Sequence, residues 1–454
     1  NRWNVTLDEF SAINSSVGRR VYADQAVLIP MSKQGPESIG EAAVTEVKPA
    51  VVPVVQHDTA AAADSATTKP SVSVVEVRTP CKPVADAANA TCRVALLMPL
   101  YLEEVSAINI HSDFVAAARN SRPFKFLHFY EGFMLAVDDL VAKGLNVDLQ
   151  VIDVDEDVSK ARKAVAQLKN APVDIIIGPF FSRSFSVVSE YAAQNDILLV
   201  NPLSERQEII SDRPNVVKIK PDVNAQTDAL CNLLASKYPD ALCVVFAPLG
   251  KEDDSTVTSI ANAIRTRVKN DTADVKVYPC NNASFTTLED IAASRDNTVV
   301  VAVGDQLVFA TQMLNALNKT VTKVPITLVA LPEWSEFDNL LVDNLMRMNA
   351  IYFSDFYVDY SDGKVGSFVT SFRSQYKYDP DKYAFMGYDM ASYFLNSLRQ
   401  YGRKPCDCLQ DYSPELMHTR FNFVRKGDGK GLENTYWNIY QYVNDETTLE
   451  LLNR

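Results

Sequence analysis

Two closely spaced carboxylate pairs, Asp153/Asp155 and Asp253/Asp254, have the residue type and spacing that permit chemistry. Such pairs can bind Ca²⁺ or divide the roles of general acid and base. Both pairs fall at the ends of strand-like stretches, where loop carboxylates are common, and no wider constellation accompanies them. The four histidines are scattered, and Gly-x-Ser-x-Gly, His-Glu-x-x-His, Gly-x-x-x-x-Gly-Lys-Ser/Thr and a post-strand Gly-x-Gly-x-x-Gly are all absent. The run Gly427-Asp428-Gly429-Lys430-Gly431 lies between strand-like residues 420–424 and 436–443, so it reads as a hairpin turn and not as a phosphate cradle. These observations point to a protein that is not an enzyme and needs no cofactor or metal.

The seven cysteines form no Cys-x-x-Cys pair and have no histidine at ligand spacing, which argues against zinc. Cys231 and Cys243 lie in apolar patterns and read as inert buried thiols. Cys406 and Cys408 are too close for an unstrained mutual bridge, so a disulfide there needs a distant partner such as Cys81. A net charge of −13 over 454 residues would repel phosphate backbones and anionic lipid, which argues against nucleic-acid binding. Apolar runs such as 173–181 and 298–303 fall short of the roughly 18 to 20 residues a membrane helix requires. The chain starts with Asn, with no charged and apolar leader pattern, so it reads as beginning inside a longer product or after processing.

The elements that must position any site change character along the chain. Residues 1–31 carry a short amphipathic helix pattern and a strand-like Gln25–Pro30. Residues 32–91 are rich in Pro, Ala and Val and read as an extended linker, because they cannot bury enough surface to offset their ordering entropy. From Cys92 onward, short apolar runs alternate with amphipathic helical stretches, the rhythm of parallel α/β structure. Strands are expected at 94–99, 148–154, 173–178, 197–202, 241–246, 275–278, 298–303 and 325–330. Four β-α units on each side of Pro202–Pro221 predict two doubly wound lobes with ligands at the carboxyl ends of the strands.

Residues 92–454 resemble the type I periplasmic binding proteins, two-lobed receptors such as the amino-acid ABC transporter substrate-binding proteins, which close on a ligand about a hinge. The likeness rests on Val94-Ala-Leu-Leu-Met-Pro-Leu100, Phe129-Tyr-Glu-Gly-Phe-Met-Leu-Ala-Val-Asp138, Ile175-Ile-Ile-Gly-Pro-Phe-Phe-Ser182, Ile197-Leu-Leu-Val-Asn-Pro-Leu-Ser204 and Tyr383-Ala-Phe-Met-Gly-Tyr-Asp389. It implies three hinge crossings, near 218–222, 355–359 and 414–420. A first lobe of 92–218 plus 360–415 and a second of 219–359 plus 416–454 follow from these. It also implies ligand contacts at Phe180, Phe181, Ser182, Ser184, Asn201 and Ser204, with hydroxyls holding a ligand carboxylate. Helix N-capping is the structural alternative for Ser182 and Ser184. Glu333 and Trp334 could line the cleft, or the Trp could pack at the lobe surface; Tyr388 and Asp389 fit a hinge role. A long insert at 101–123 and a second-lobe loop at 248–254 lacking the aromatic residue common in the family favour a different use of the fold, as a scaffold or regulator of an envelope protein complex.

Residues 1–31 resemble the second half of a LysM module, on Asn4-Val-Thr-Leu-Asp-Glu-Phe-Ser-Ala-Ile-Asn14 and Gln25-Ala-Val-Leu-Ile-Pro30. This implies peptidoglycan contact through residues such as Asn14 and Ile29 when the module is complete. LysM followed by a linker and this receptor fold resembles Gram-negative periplasmic proteins, some attached to the outer membrane as lipoproteins. The implied partners are thus a small polar solute or an envelope protein complex, together with peptidoglycan glycan.

Overall fold

The computed structural model describes residues 80–84, 90–106, 122–268, 275–337, 339–443 and 448–453. The chain divides into units 1–76 and 77–454. The LysM-like residues 1–31, with Asn14 and Ile29, lie outside the described residues, as does most of the linker.

Chain order in the first lobe begins with β1 (Cys92–Met98), α1 (Leu102–Ser106), α2 (Leu127–Ala142), β2 (Val147–Asp153) and α3 (Val158–Asn170). It continues through β3 (Ile175–Ile177), α4 (Ser182–Gln194), β4 (Leu198–Asn201) and β5 (Val216–Lys218). The second lobe repeats the rhythm. Its elements are α5 (Val223–Lys237), β6 (Leu242–Ala247), α6 (Ser255–Arg267), β7 (Val277–Pro279), α7 (Asn282–Ala292), β8 (Thr298–Ala302), α8 (Leu307–Thr320), β9 (Ile326–Ala330), α9 (Val342–Arg347) and β10 (Ile351–Ser354). The chain then returns through α10 (Gly363–Tyr376) and α11 (Lys382–Tyr401) to β11 (Phe423–Val424) and β12 (Leu432–Asn434), and finishes in β13 (Asn438–Val443) and β14 (Thr448–Leu451).

Two seven-stranded sheets result, ordered β11-β12-β5-β4-β3-β1-β2 and β14-β13-β10-β9-β8-β6-β7. In each, five parallel strands run in the 2-1-3-4-5 order of doubly wound folds, and a late pair completes one edge. The central β1 and β6 are almost wholly buried because helices cover both sheet faces, whereas the edge strand β2 is only half-buried. All eight strands expected from the apolar runs are present. The parallel-paired strands missed, β5, β10 and β12, are only three or four residues long and leave almost no pattern to read.

The third hinge crossing differs from expectation. Strand β11 pairs antiparallel with β12, and β12 pairs parallel with β5, so both belong to the first sheet. The chain crosses finally between Asn434 and Asn438, not between residues 414 and 420, because the glycine turn closes β11 onto β12 before the chain leaves. Gly427 and Gly429 adopt positive φ there (125° and 72°), as the hairpin reading requires. The linker also differs at its end. Cys81 is bonded to Cys408 with Cα atoms 5.4 Å apart, the Cys81 N–H donates to Asp411, and the Val84 N–H donates to the Gln400 carbonyl. Residues 80–84 are therefore fastened to the first lobe.

Helices α2 and α11 cross at contact distance because each offers a glycine to the other's backbone. A Cβ on Gly132 would lie 1.9 Å from the Ala384 carbonyl oxygen, and one on Gly387 would lie 2.1 Å from that of Phe129. Around the crossing, Phe126, Phe129, Phe133, Met390 and Phe394 fill the first-lobe core. Since a backbone atom cannot move aside cheaply, Gly387→Ala is expected to lower stability by about 1–3 kcal/mol. Gly366→Ala, on the exposed face of α10 with nothing within 4 Å of the new Cβ, should raise it by about 0.5–1 kcal/mol through helix propensity. Urea midpoints of both variants against the parent check the pair.

Candidate functional site

The sequence-predicted residues are placed in three different ways. Phe180 is buried in the first-lobe core, edge-on to Phe126 and Phe129 at 5.2 and 5.0 Å, and Phe181 packs partly on the same cluster. Ser184 and Asn201 are buried and engaged by the protein itself. The Ser184 hydroxyl donates to the Asp155 carbonyl at 2.5 Å. Asn201 Oδ1 accepts from the N–H groups of Leu203 and Ser204, forming an Asx turn at the end of β4. The Ser204 hydroxyl accepts from the Arg206 N–H. Trp334 is buried, donating its indole N–H to the Gly304 carbonyl at 2.7 Å with its ring edge-on to Phe309. Ser182 is exposed at the first turn of α4. Glu333 faces a cleft.

That cleft, with a volume of about 720 Å³, lies between the lobes. The second lobe contributes the loops that follow β6, β8 and β9, at the carboxyl ends of the strands. The first lobe contributes Glu205 and Lys382, and the hinge contributes Lys220, Asp222, Asp355 and Trp437. Seven carboxylates line it against three lysines. Lys220 sits 2.7 Å from Glu205 and 3.6 Å from Asp355. Burial alone would lower its pKa, but the two carboxylates outweigh that and raise it. Lys382 reaches across the cleft mouth to Glu336 at 3.3 Å, joining the two lobes. Asp254 accepts from the Thr256 N–H and caps α6. Among the described residues Glu333 and Asp305 form no ion pair, and the nearby charge of Lys220 acts on Glu333 only weakly. Partial desolvation, with like charge from Asp305 and Glu205, pushes the Glu333 carboxyl above the ordinary glutamate range.

Beneath the cleft lies a cluster that no motif announces. Lys218, fully buried at the end of β5, is 3.6 Å from Glu433 of β12 and 3.9 Å from Asp222, and donates to the Glu205 carbonyl. The Gln207 amide bridges Asp222 and Glu433, and Lys426 lies 2.7 Å from the other Glu433 oxygen. Desolvation holds the Lys218 pKa below the ordinary lysine value despite these partners. For Asp222, burial works upward, but the Ala225 N–H, the Gln207 amide and Lys218 leave its pKa lowered. At the second crossing, buried Asp389 accepts from the N–H groups of Met417 and His418 and meets His418 Nδ1 at 2.5 Å, while the Tyr388 hydroxyl donates to Asp139.

Of the two carboxylate pairs that opened the sequence reading, Asp153/Asp155 is structural, and Asp254 of the second serves as a helix cap. Asp153 accepts from the N–H groups of Leu100 and Tyr101, and both Asp153 and Asp155 hold Lys160. Among the described residues no group of three His, Cys, Asp or Glu is placed to hold a metal ion, and no helix is long and apolar enough to cross a membrane.

Comparison with known proteins agrees with this geometry. A family model described as a periplasmic binding protein matches residues 127–407, more than half of the chain. No curated protein matches in sequence. Among solved structures, a putative branched-chain amino acid ABC transporter from Rhodospirillum rubrum is 15% identical with a TM-score of 0.55, covering 80% of this chain and 100% of its own. Full-length LpoA from Haemophilus influenzae is 14% identical with a TM-score of 0.50, covering 80% of this chain and 59% of its own. The LpoA C-domain, described as a regulator of PBP1A, is 14% identical with a TM-score of 0.49, covering 79% and 99%. At these identities the likeness is one of fold.

Two substitutions test the structural assignments. Glu433→Gln leaves Lys218 short of its closest countercharge in a buried site and is expected to cost about 3–5 kcal/mol of stability. Ser184→Ala strands the Asp155 carbonyl and should cost about 1–3 kcal/mol, whereas Ser182→Ala at the exposed helix start should change stability by no more than about 0.5 kcal/mol. Chemical denaturation of the three variants reads both outcomes.

Proposed function

The chain belongs to the periplasmic binding protein family, and from that premise we propose that it is a non-catalytic binding module of the bacterial envelope whose interlobe cleft takes a small polar ligand. The observation that carries this reading is the cleft of about 720 Å³, lined by ionisable side chains from both lobes and the hinge, a size usual for small-molecule sites. Closure about the hinge is the step that would report or deliver the ligand. The Cys81–Cys408 disulfide supports an oxidising compartment such as the periplasm. Peptidoglycan contact through Asn14 and Ile29 belongs to the same proposal, for the complete LysM-like module; attachment to the outer membrane would need a lipoprotein segment upstream.

A second reading, a scaffold or regulator of an envelope protein complex, is favoured by one specific observation. Ser184 and Asn201 are buried and hydrogen-bonded within the protein, so of the residues expected to hold a ligand carboxylate only Ser182 and Ser204 keep a hydroxyl donor for one. Regulation of a protein partner is the role under which LpoA is described.

Mass spectrometry of small molecules released from the purified chain separates the two. A stoichiometric polar compound, retained at least tenfold less by Glu333→Gln at unchanged melting temperature, is the outcome expected for ligand binding. A cleft that releases nothing, in a chain that co-purifies with a protein in fixed ratio, would establish the scaffold instead.

A further inference from the structure

The second and third crossings have two faces. Ser354, Asp355, Phe356 and Trp437 line the interlobe cleft, while Tyr357, Asp359, Tyr436 and Asn438, their neighbours along the same stretches of chain, line a different pocket of about 720 Å³. The two cavities share no lining residue. The first lobe completes the second pocket with Lys143 at the end of α2, the start of α10 and one turn of α11, and the second lobe adds Leu451 of β14. A ligand there is independent of whether the cleft holds one.

The charges of this pocket are unevenly committed. Asp362 caps α10 through the Lys364 N–H, Asp359 accepts from the Ser361 N–H and hydroxyl, and Glu415 is held by Lys364. Asp389, only 1% exposed, gives one oxygen, Oδ2, to the N–H groups of Met417 and His418 and to the His418 ring. Among the described residues its Oδ1 takes no hydrogen bond, although Asp389 lines the pocket. A buried carboxylate oxygen in that state is costly until a donor reaches it. Lys143 and Arg420, both exposed, also line the pocket, and among the described residues their side chains make no ion pair and no hydrogen bond.

The aromatic lining is restricted in what it offers. The Tyr388 hydroxyl donates to Asp139 and the Tyr436 hydroxyl to the Asn453 carbonyl, so these two tyrosines present rings to a ligand. A simple anion would meet the Asp389 carboxylate, a neutral polyol would leave Lys143 and Arg420 without a countercharge, and a free amino acid would fill only a small part of the volume. We propose that the pocket behind the crossings binds an acidic sugar of one or two rings. A ring hydroxyl donates to Asp389 Oδ1, the sugar carboxylate meets Arg420 and Lys143 in charge-assisted hydrogen bonds, and the C–H face of the ring packs on tyrosine, whose π-face carries partial negative charge.

Calorimetry with the full chain tests this using three probes: digalacturonate, its uncharged counterpart galactobiose, and glutamate. Digalacturonate should bind, and the other two should bind at least tenfold more weakly. Lys143→Gln/Arg420→Gln should weaken digalacturonate at least tenfold at unchanged melting temperature, because both side chains are exposed and unpaired. Hydrogen exchange locates the site: digalacturonate should slow exchange within residues 357–364 and 416–420 and leave the cleft loops at 303–306 and 331–336 unchanged. Failure of digalacturonate to bind, equal or tighter binding of galactobiose or glutamate, or an affinity indifferent to the double variant overturns the assignment. Protection of the cleft loops alone overturns it as well, and would count instead for the cleft as the ligand site.

Discussion

A lysine without solvent contact fixes the geometry of this molecule. Lys218 ends the last parallel strand of the first lobe, at the point where the chain leaves for the second. A buried charge is tolerated only where countercharges and hydrogen bonds surround it, and here they come from three separate stretches: Asp222 at the head of the next helix, the Glu205 carbonyl on the cleft wall, and Glu433 on the strand that returns late to the sheet edge. The first crossing, the cleft wall and the edge strand are thereby held in one arrangement. Lys220, two residues further along, carries the same logic to the cleft surface, where it gathers Glu205 and Asp355.

The cleft inherits its electrostatic character from this arrangement. Glu205 and Asp355 are met by Lys220 and Glu336 by Lys382, whereas among the described residues Asp305 and Glu333, on the loops after β8 and β9, have no cation within ion-pair distance. Charge therefore accumulates on the second-lobe side, at the strand ends where doubly wound sheets expose their loops. The first-lobe side is different, because Ser184 and Asn201 have been drawn into buried hydrogen bonds and a turn. The two walls are thus chemically unequal: of the lining carboxylates, Glu205 stands on the first lobe, and Asp254, Asp305, Glu333 and Glu336 stand on the second-lobe loops.

Much of the fold was legible because it rests on local pattern. Apolar runs of four or more residues marked eight parallel strands, and the stretches holding Gly132 and Gly387 stood out before it was evident that both glycines serve one helix crossing. The short strands β5 and β10 escaped because three or four residues cannot display a period. The third crossing was misplaced because the strand-like character near residues 420–424 says nothing of which sheet it joins; pairing with β5 decides that, and pairing is a long-range fact. The site was less legible for a related reason. Ser184 and Asn201 have the residue types of ligand contacts, yet whether a hydroxyl faces a cleft or the Asp155 carbonyl depends on a neighbour 29 residues away. Lys218 and Glu433 meet across half the chain, and Trp437 sits in a segment with no motif. Of the residues expected at the site from sequence, Glu333 alone lines this cleft.

The bond between Cys81 and Cys408 has a mechanical meaning. It joins positions 327 residues apart, so nearly all of both lobes lies inside one covalently closed ring. Tension arriving along the chain from residues before Cys81 does not pass to β1, the central strand whose extraction would open the first sheet. It passes to Cys408, in the turn that follows α11, and from there through the backbone toward residue 454. A body tethered from its N-terminal side is in this way held by its flank, and the parallel core strands of both sheets, β1 to β10, lie between the two bonded cysteines and outside the line of force.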